Sequence, residues 1–163
     1  MFNFFKKKPK PCNEAFEDLA HMLIHEEENP TYRKELLSSD TLDYSLNSLK
    51  QIDAYLEVIR KDEIPEEDLV KVVLRAGAYV GEVMRKESKL DFHWLDFKEA
   101  SKISSFVKSL GMQLGTASVL WSAPDNTCFP LAKILKYLEN GSEDSTYHFA
   151  NVLIDGLPKN TAR

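Results

Sequence analysis

Hydrophobic residues recur every three or four positions through most of the chain, which is the pattern of helices that bury one face. The clearest run begins after Ser39 or Asp40 and ends before "KDEIPEED"; its apolar positions are Leu42, Leu46, Leu49, Ile52, Leu56 and Ile59. Other runs predict helices that begin near Asn13 and at Pro65, that cover about 100–110, and that form the closing segments "LAKILKYLENG" and "SEDSTYHFANVLIDG". The pattern predicts about five to six helices.

Two short segments alternate between apolar and polar residues instead, which is the pattern of strands. The first contains His93 and Trp94, the second covers 117–122, and "SAPDNTCFP" after it is predicted as a loop. The predicted class is α+β, a predominantly helical single domain with a small sheet of about two strands. We expect a flexible basic leader at 1–12, the domain at 13–157 and a loose tail at 158–163.

The predicted third helix carries Gly77 and Gly81 four residues apart in its middle. Each of these glycines costs about 1 kcal/mol relative to alanine. Because the helix is apolar on nearly all sides, we expect it to be central, with the glycines forming a strip where a neighbouring backbone approaches closely.

Charge is unevenly distributed along the 163 residues: the net charge is −5, yet the first eleven residues carry four lysines and no acid. The acidic remainder argues against nucleic acid as the partner and permits a basic protein partner. Four lysines are a poor membrane anchor, so no stable membrane anchoring is expected. No apolar run could span a bilayer, and the first residues do not resemble a secretory signal, so we predict a cytoplasmic chain with reduced cysteines.

One polar stripe lies beside the glycine strip, formed by Arg75, Tyr79, Glu82 and Lys86 at helical spacing. Two interpretations stay open. Glu82 and Lys86 form an ordinary surface ion pair, or Glu82 belongs to a small polar pocket that also performs acid–base chemistry. The residues of the predicted pocket are Tyr79, Glu82, His93, Trp94 and Trp121.

Other reactive groups give weaker patterns. His21 and His25 lie on one helix face at a spacing that suits zinc, but the metalloprotease motif H-E-x-x-H is absent and solvated imidazoles are the simpler interpretation. Cys128, with Asp125 and His148, has the residue types of a thiol nucleophile set, although a small buried residue is expected there. No phosphate-binding or dinucleotide-binding motif occurs, so neither a cofactor nor a metal is predicted.

Two acidic stretches, "HEEEN" and "KDEIPEED", fall at predicted helix ends, where loops present side chains freely. They are candidates for a surface that binds a basic partner, or they only keep the chain in solution. The candidate residues are Glu26, Glu27, Glu28, Glu66 and Glu67.

A pattern spread over about 40–156 resembles a family of small uncharacterised bacterial proteins. "GAYVGEV" is followed by a Trp-bearing strand and by the helix "FPLAKILKYLENG"; the matching residues are Gly77, Tyr79, Gly81, Glu82, Trp94, Pro130, Lys136 and Gly141. The resemblance implies a bacterial cytoplasmic domain and no particular reaction, and some similar small acidic proteins are immunity partners of toxins. We therefore expect a non-enzymatic domain that binds a protein. The alternatives are a small enzyme or ligand-binding protein, and a peripheral membrane adaptor that uses the basic leader.

Overall fold

The helix that carries both glycines, α3 (Glu66–Glu87), lies at the centre of the fold and is buried along most of its length. It packs between the first helix, α1 (Asn13–His25), and the sixth, α6 (Pro130–Asn140). A β-carbon on Gly77 would lie 2.5 Å from Leu131 Cδ2 and 3.1 Å from Leu131 Cα, so α6 approaches α3 at backbone distance. The packing interpretation is confirmed, although the neighbour of Gly81 is the ring of Trp94 rather than a backbone.

The computed structural model describes residues 7–154, and within them the chain forms seven α-helices and three β-strands. The predicted class, a predominantly helical α+β domain, is confirmed. The remaining elements are α2 (Leu49–Ile59), α4 (Phe97–Ile103), α5 (Ser105–Leu110), α7 (Thr146–Leu153), β1 (His93–Asp96), β2 (Ser118–Ser122) and β3 (Asn126–Cys128). No helix in this part of the chain is both long and apolar enough to cross a membrane.

Several predicted boundaries are wrong, and local backbone geometry explains why. The helix predicted from about residue 40 begins only at Leu49, because Tyr44 has a left-handed φ of 62° and Ser45 caps a short 3-10 turn, Leu46–Ser48. The helix predicted over 100–110 is two helices, because Ser104 is extended and its side chain accepts the Val107 N–H. The cap of the last helix is Ser145 rather than Ser142.

The third strand was predicted as loop. A tight turn after β2 returns the chain antiparallel to it, with Ser122 opposite Asn126 and Leu120 opposite Cys128. Three residues are too few to show the alternation by which a strand is recognised in a sequence. The sheet order is β1-β2-β3, with both pairs antiparallel.

The sheet separates two apolar clusters. Trp94, Leu120 and Cys128 face the main core among the helices. Leu95 and Val119 face a second, smaller core closed by α4 and α5. Neighbouring residues of β1 therefore belong to opposite sides of the sheet, as the two-residue period of a strand requires.

The segment before α1 runs along the free edge of β1. The Cys12 N–H donates to Trp94 O at 2.9 Å, and the Trp94 N–H donates to Asn13 Oδ1 at 2.7 Å, so both edge groups of Trp94 are satisfied. The Lys10 N–H also donates to Glu99 at 3.0 Å. Residues 10–12 are therefore tied to the domain, contrary to a flexible leader that extends to residue 12. Residues 1–6 and the predicted tail at 158–163 lie outside the described residues.

Candidate functional site

Glu82 and Trp94 of the predicted pocket meet on the inner side of β1. Trp94 is fully buried, and its indole N–H donates to Glu82 Oε1 at 2.9 Å. Arg85 reaches both oxygens of the same carboxylate, at 2.9 and 3.1 Å, and also Glu17 at 3.0 Å. The predicted Glu82–Lys86 ion pair is wrong, because Arg85 takes the carboxylate and Lys86 donates to the Asp43 carbonyl oxygen at 3.2 Å. Glu82 thus anchors the tryptophan and has little capacity left for a ligand.

Tyr79 lies in the core. Its hydroxyl accepts the Tyr44 N–H at 3.0 Å and lies 2.8 Å from Ser48 Oγ, and its ring packs against Tyr44 with 4.7 Å between ring centroids. Burial raises the pKa of the Tyr79 phenol above its ordinary value. These contacts hold the turn before α2 in its left-handed conformation, so the role of Tyr79 in this structure is to fix that turn.

His93 and Trp121 lie opposite each other in the sheet, on the side away from Glu82. The side chain of His93 is 33% exposed, with Nδ1 3.0 Å from Asn13 Nδ2 and Nε2 3.0 Å from Asp91 Oδ2. Both residues line one surface cleft, which neither Glu82 nor Tyr79 enters. The structure therefore divides the predicted pocket into a buried Glu82–Trp94 pair and an open His93–Trp121 pair.

The remaining reactive groups predicted from the sequence are the two histidines of α1 and the thiol of Cys128, and their surroundings suggest structural roles. His21 and His25 stack on each other with ring centroids 4.3 Å apart. Across residues 7–154 no group of three or more His, Cys, Asp and Glu side chains is arranged to hold a metal ion. Cys128 is buried, and burial raises the pKa of its thiol to about 12, so it is protonated at neutral pH and not a nucleophile.

The two acidic stretches lie at the same end of the α1–α3 pair, because α1 ends and α3 begins there. Asn29, just after α1, accepts from Lys71 Nζ at 2.9 Å through its side chain and from Arg75 at 2.8 Å through its backbone carbonyl. Arg75 is buried and also reaches Thr31 Oγ1 at 3.2 Å. These contacts join the segment after α1 to the second and third turns of α3. Sequence spacing gave no indication that the two stretches form one surface.

The five acidic candidates of this surface are not equivalent. Glu26 ends α1 and accepts the backbone N–H groups of Glu28 and Asn29 at 3.0 and 3.3 Å, which lowers the pKa of its carboxyl below the ordinary value. Glu26 is therefore part of the turn. The other four are exposed and form no ion pair with any residue in 7–154; we call them the acidic end: Glu27, Glu28, Glu66 and Glu67.

No family model, curated protein or solved structure matches this chain. The resemblance to a small bacterial family stays a prediction.

Proposed function

We propose that the chain is a non-enzymatic cytoplasmic domain whose acidic end binds a basic protein. The observation that carries the proposal is the position of both acidic stretches at the same end of the α1–α3 pair, with four exposed carboxylates that form no ion pair within residues 7–154. The most concrete version is an immunity-type protein that covers a basic toxin. That version rests on the resemblance found in the sequence and on the sign of the charge.

Two of the cations near the acidic end are already paired with other carboxylates, which leaves the acidic end with an excess of negative charge. Lys71 pairs with Asp68 at 2.7 Å and Arg33 pairs with Asp62 at 3.2 Å. Lys34 and Arg75 donate to neutral oxygens and keep their charge, which offsets part but not all of the four carboxylates. Surplus charge of one sign attracts a partner of opposite sign and raises the association rate, an effect that salt screens over about 10 Å at 0.1 M.

An enzyme that uses the predicted pocket is supported less well. Glu82 is held by Trp94 and Arg85, and His93 lies on the other side of the sheet, so the carboxylate and the imidazole are not placed for a shared proton transfer. The contacts of Glu82 are those of a residue that secures the core.

The experiment is a capture from lysate of the source cell with three versions of the chain: wild type, an acidic-end variant and a matched control. The variant is Glu27→Lys with Glu28→Lys, since both residues are exposed, outside any helix and free of ion pairs. Glu26 stays unchanged because it fixes the turn.

The control, Glu14→Lys with Glu87→Lys, alters the charge equally at the opposite end of the α1–α3 pair. Through the helix dipole, a lysine slightly destabilises the first turn of α1 and slightly stabilises the last turn of α3, so the two effects on folding oppose each other. The proposal expects one basic protein that wild type and control retain and the acidic-end variant loses. Equal retention of every captured protein by all three would contradict it.

A further inference from the structure

A second surface, which shares no residue with the acidic end, is a cleft of about 480 Å³ on the outer side of β1. That volume is within the ~300–1,000 Å³ range of small-molecule sites in proteins. Its floor is formed by Trp121 and Leu95 of the sheet, and its sides by the segment before α1 and by the turn between α3 and β1. Most of the lining is apolar, with Pro9, Pro11 and Leu90 among the side walls.

One hydrogen-bond donor in this cleft has a fixed orientation. Asn13 Oδ1 must accept the Trp94 N–H, which lies 2.7 Å away, so the Asn13 amide presents its N–H to His93 Nδ1 at 3.0 Å. His93 Nδ1 is therefore an acceptor, and the neutral ring carries its hydrogen on Nε2. Nε2 lies 3.0 Å from Asp91 Oδ2, and the Asp91 side chain is 92% exposed. Water competes for such an exposed carboxylate, so another anion can replace it.

The rim of the cleft carries a positive excess. Lys8 and Lys89 line it and are exposed, and neither forms an ion pair within residues 7–154; Asp91 is the acidic residue of the lining. An apolar cleft with a tryptophan floor, one oriented N–H and two free ammonium groups is complementary to a flat ring that bears a negative charge.

We propose that this cleft binds a small aromatic carboxylate. The ring lies against Trp121 among the apolar side walls, and the carboxylate accepts the His93 Nε2–H beside Lys8 and Lys89. The proposal is independent of the acidic end, and either one can fail without the other.

The test titrates ¹⁵N-labelled full chain with 2-naphthoate and, in parallel, with 2-naphthamide, which has the same ring and no charge. The chain has two tryptophans, so the indole N–H signals report two places. The Trp121 signal, assigned with Trp121→Phe, is expected to shift in a saturable way with naphthoate. The Trp94 signal is expected to stay in place, because that ring is buried and its N–H is held by Glu82.

Exposed-lysine variants test the charge without risk to folding. Lys8→Gln and Lys89→Gln are each expected to weaken naphthoate binding by about 1.5- to 5-fold, the range for an exposed ion pair, and to leave naphthamide binding unchanged. Lys108→Gln, an exposed lysine on α5 outside the cleft, is the control and should change neither. No saturable Trp121 shift up to the solubility limit, equal affinity for the two probes, or naphthoate affinity unmoved by both cleft variants would each overturn the proposal.

Discussion

Gly81→Ala tests whether the centre of the fold is packed as described. An alanine β-carbon would lie 2.7 Å from Trp94 Cη2 and 2.9 Å from Trp94 Cε2, well inside ordinary van der Waals contact. The ring has little freedom to move away. Its N–H is held by Glu82 at 2.9 Å, and it stacks on Phe16 with centroids 4.0 Å apart and 18° between planes.

Two effects oppose each other in this substitution. Replacing a mid-helix glycine by alanine favours the helix by about 1 kcal/mol, whereas overpacking a dense core costs about 1–3 kcal/mol. Because Trp94 is fully buried and held on two sides, we expect the upper part of that range and a net loss of about 2 kcal/mol. For a chain of this length the loss corresponds to a melting temperature lower by roughly 4–8 °C.

The assay is urea and thermal unfolding followed by circular dichroism, performed as a double-mutant cycle with Trp94→Phe. The clashing atoms belong to the part of the indole that phenylalanine lacks, so in that background Gly81→Ala should become neutral or stabilising. The expected coupling is roughly 2–3 kcal/mol. Gly81→Ala as stable as wild type, or an equal loss in both backgrounds, would refute the reasoning.

Three further expectations concern single groups. Cys128, whose pKa burial raises to about 12, should resist alkylation near pH 8 in the folded chain and react only after urea unfolding; equal rates in both states would contradict its burial. Burial raises the pKa of Tyr55, and that of Tyr137 to about 12, so the stability these phenols contribute is complete below pH 10 and lost as pH rises above it. The urea midpoint should therefore fall as pH rises from about 10 to about 12. A midpoint that stays constant over this range would contradict the prediction. Glu82→Gln should cost about 1–2 kcal/mol in urea unfolding, because Arg85 loses a charged partner, and an unchanged midpoint would show that this ion pair does not stabilise the fold.

Periodicity predicted the elements with strong repeats and missed those set by single residues. The apolar spacing that starts at Leu42 favours a longer α2, yet Tyr44 adopts a left-handed φ in a turn whose backbone N–H is held by the hydroxyl of Tyr79, 35 residues away in the sequence. The strand Asn126–Cys128 exists through its partner β2 rather than through its own pattern. The first feature depends on a contact between residues distant in sequence, and the second on pairing across a tight turn, and neither is contained in apolar periodicity.

In the candidate site, too, the sequence pattern indicates some of the contacts and not others. The predicted pocket placed His93 and Trp94 together, although the two-residue period of a strand already sends neighbours to opposite sides of the sheet. Trp121 lies beside His93, because the antiparallel register places the two opposite each other. The placement of both acidic stretches at one end of the helix pair could not be predicted, since it depends on how the segment after α1 packs against α3, where Asn29 accepts from Lys71 and Arg75.

The most direct test of the central claim is the association rate of the captured basic partner with wild type and with Glu27→Lys/Glu28→Lys, measured over a series of salt concentrations. If the acidic end attracts that partner, the variant should associate more slowly at low salt, and the two rates should converge as salt rises. The opposite-end control, Glu14→Lys/Glu87→Lys, should follow wild type. Identical rates for wild type and the acidic-end variant at low salt would contradict the account.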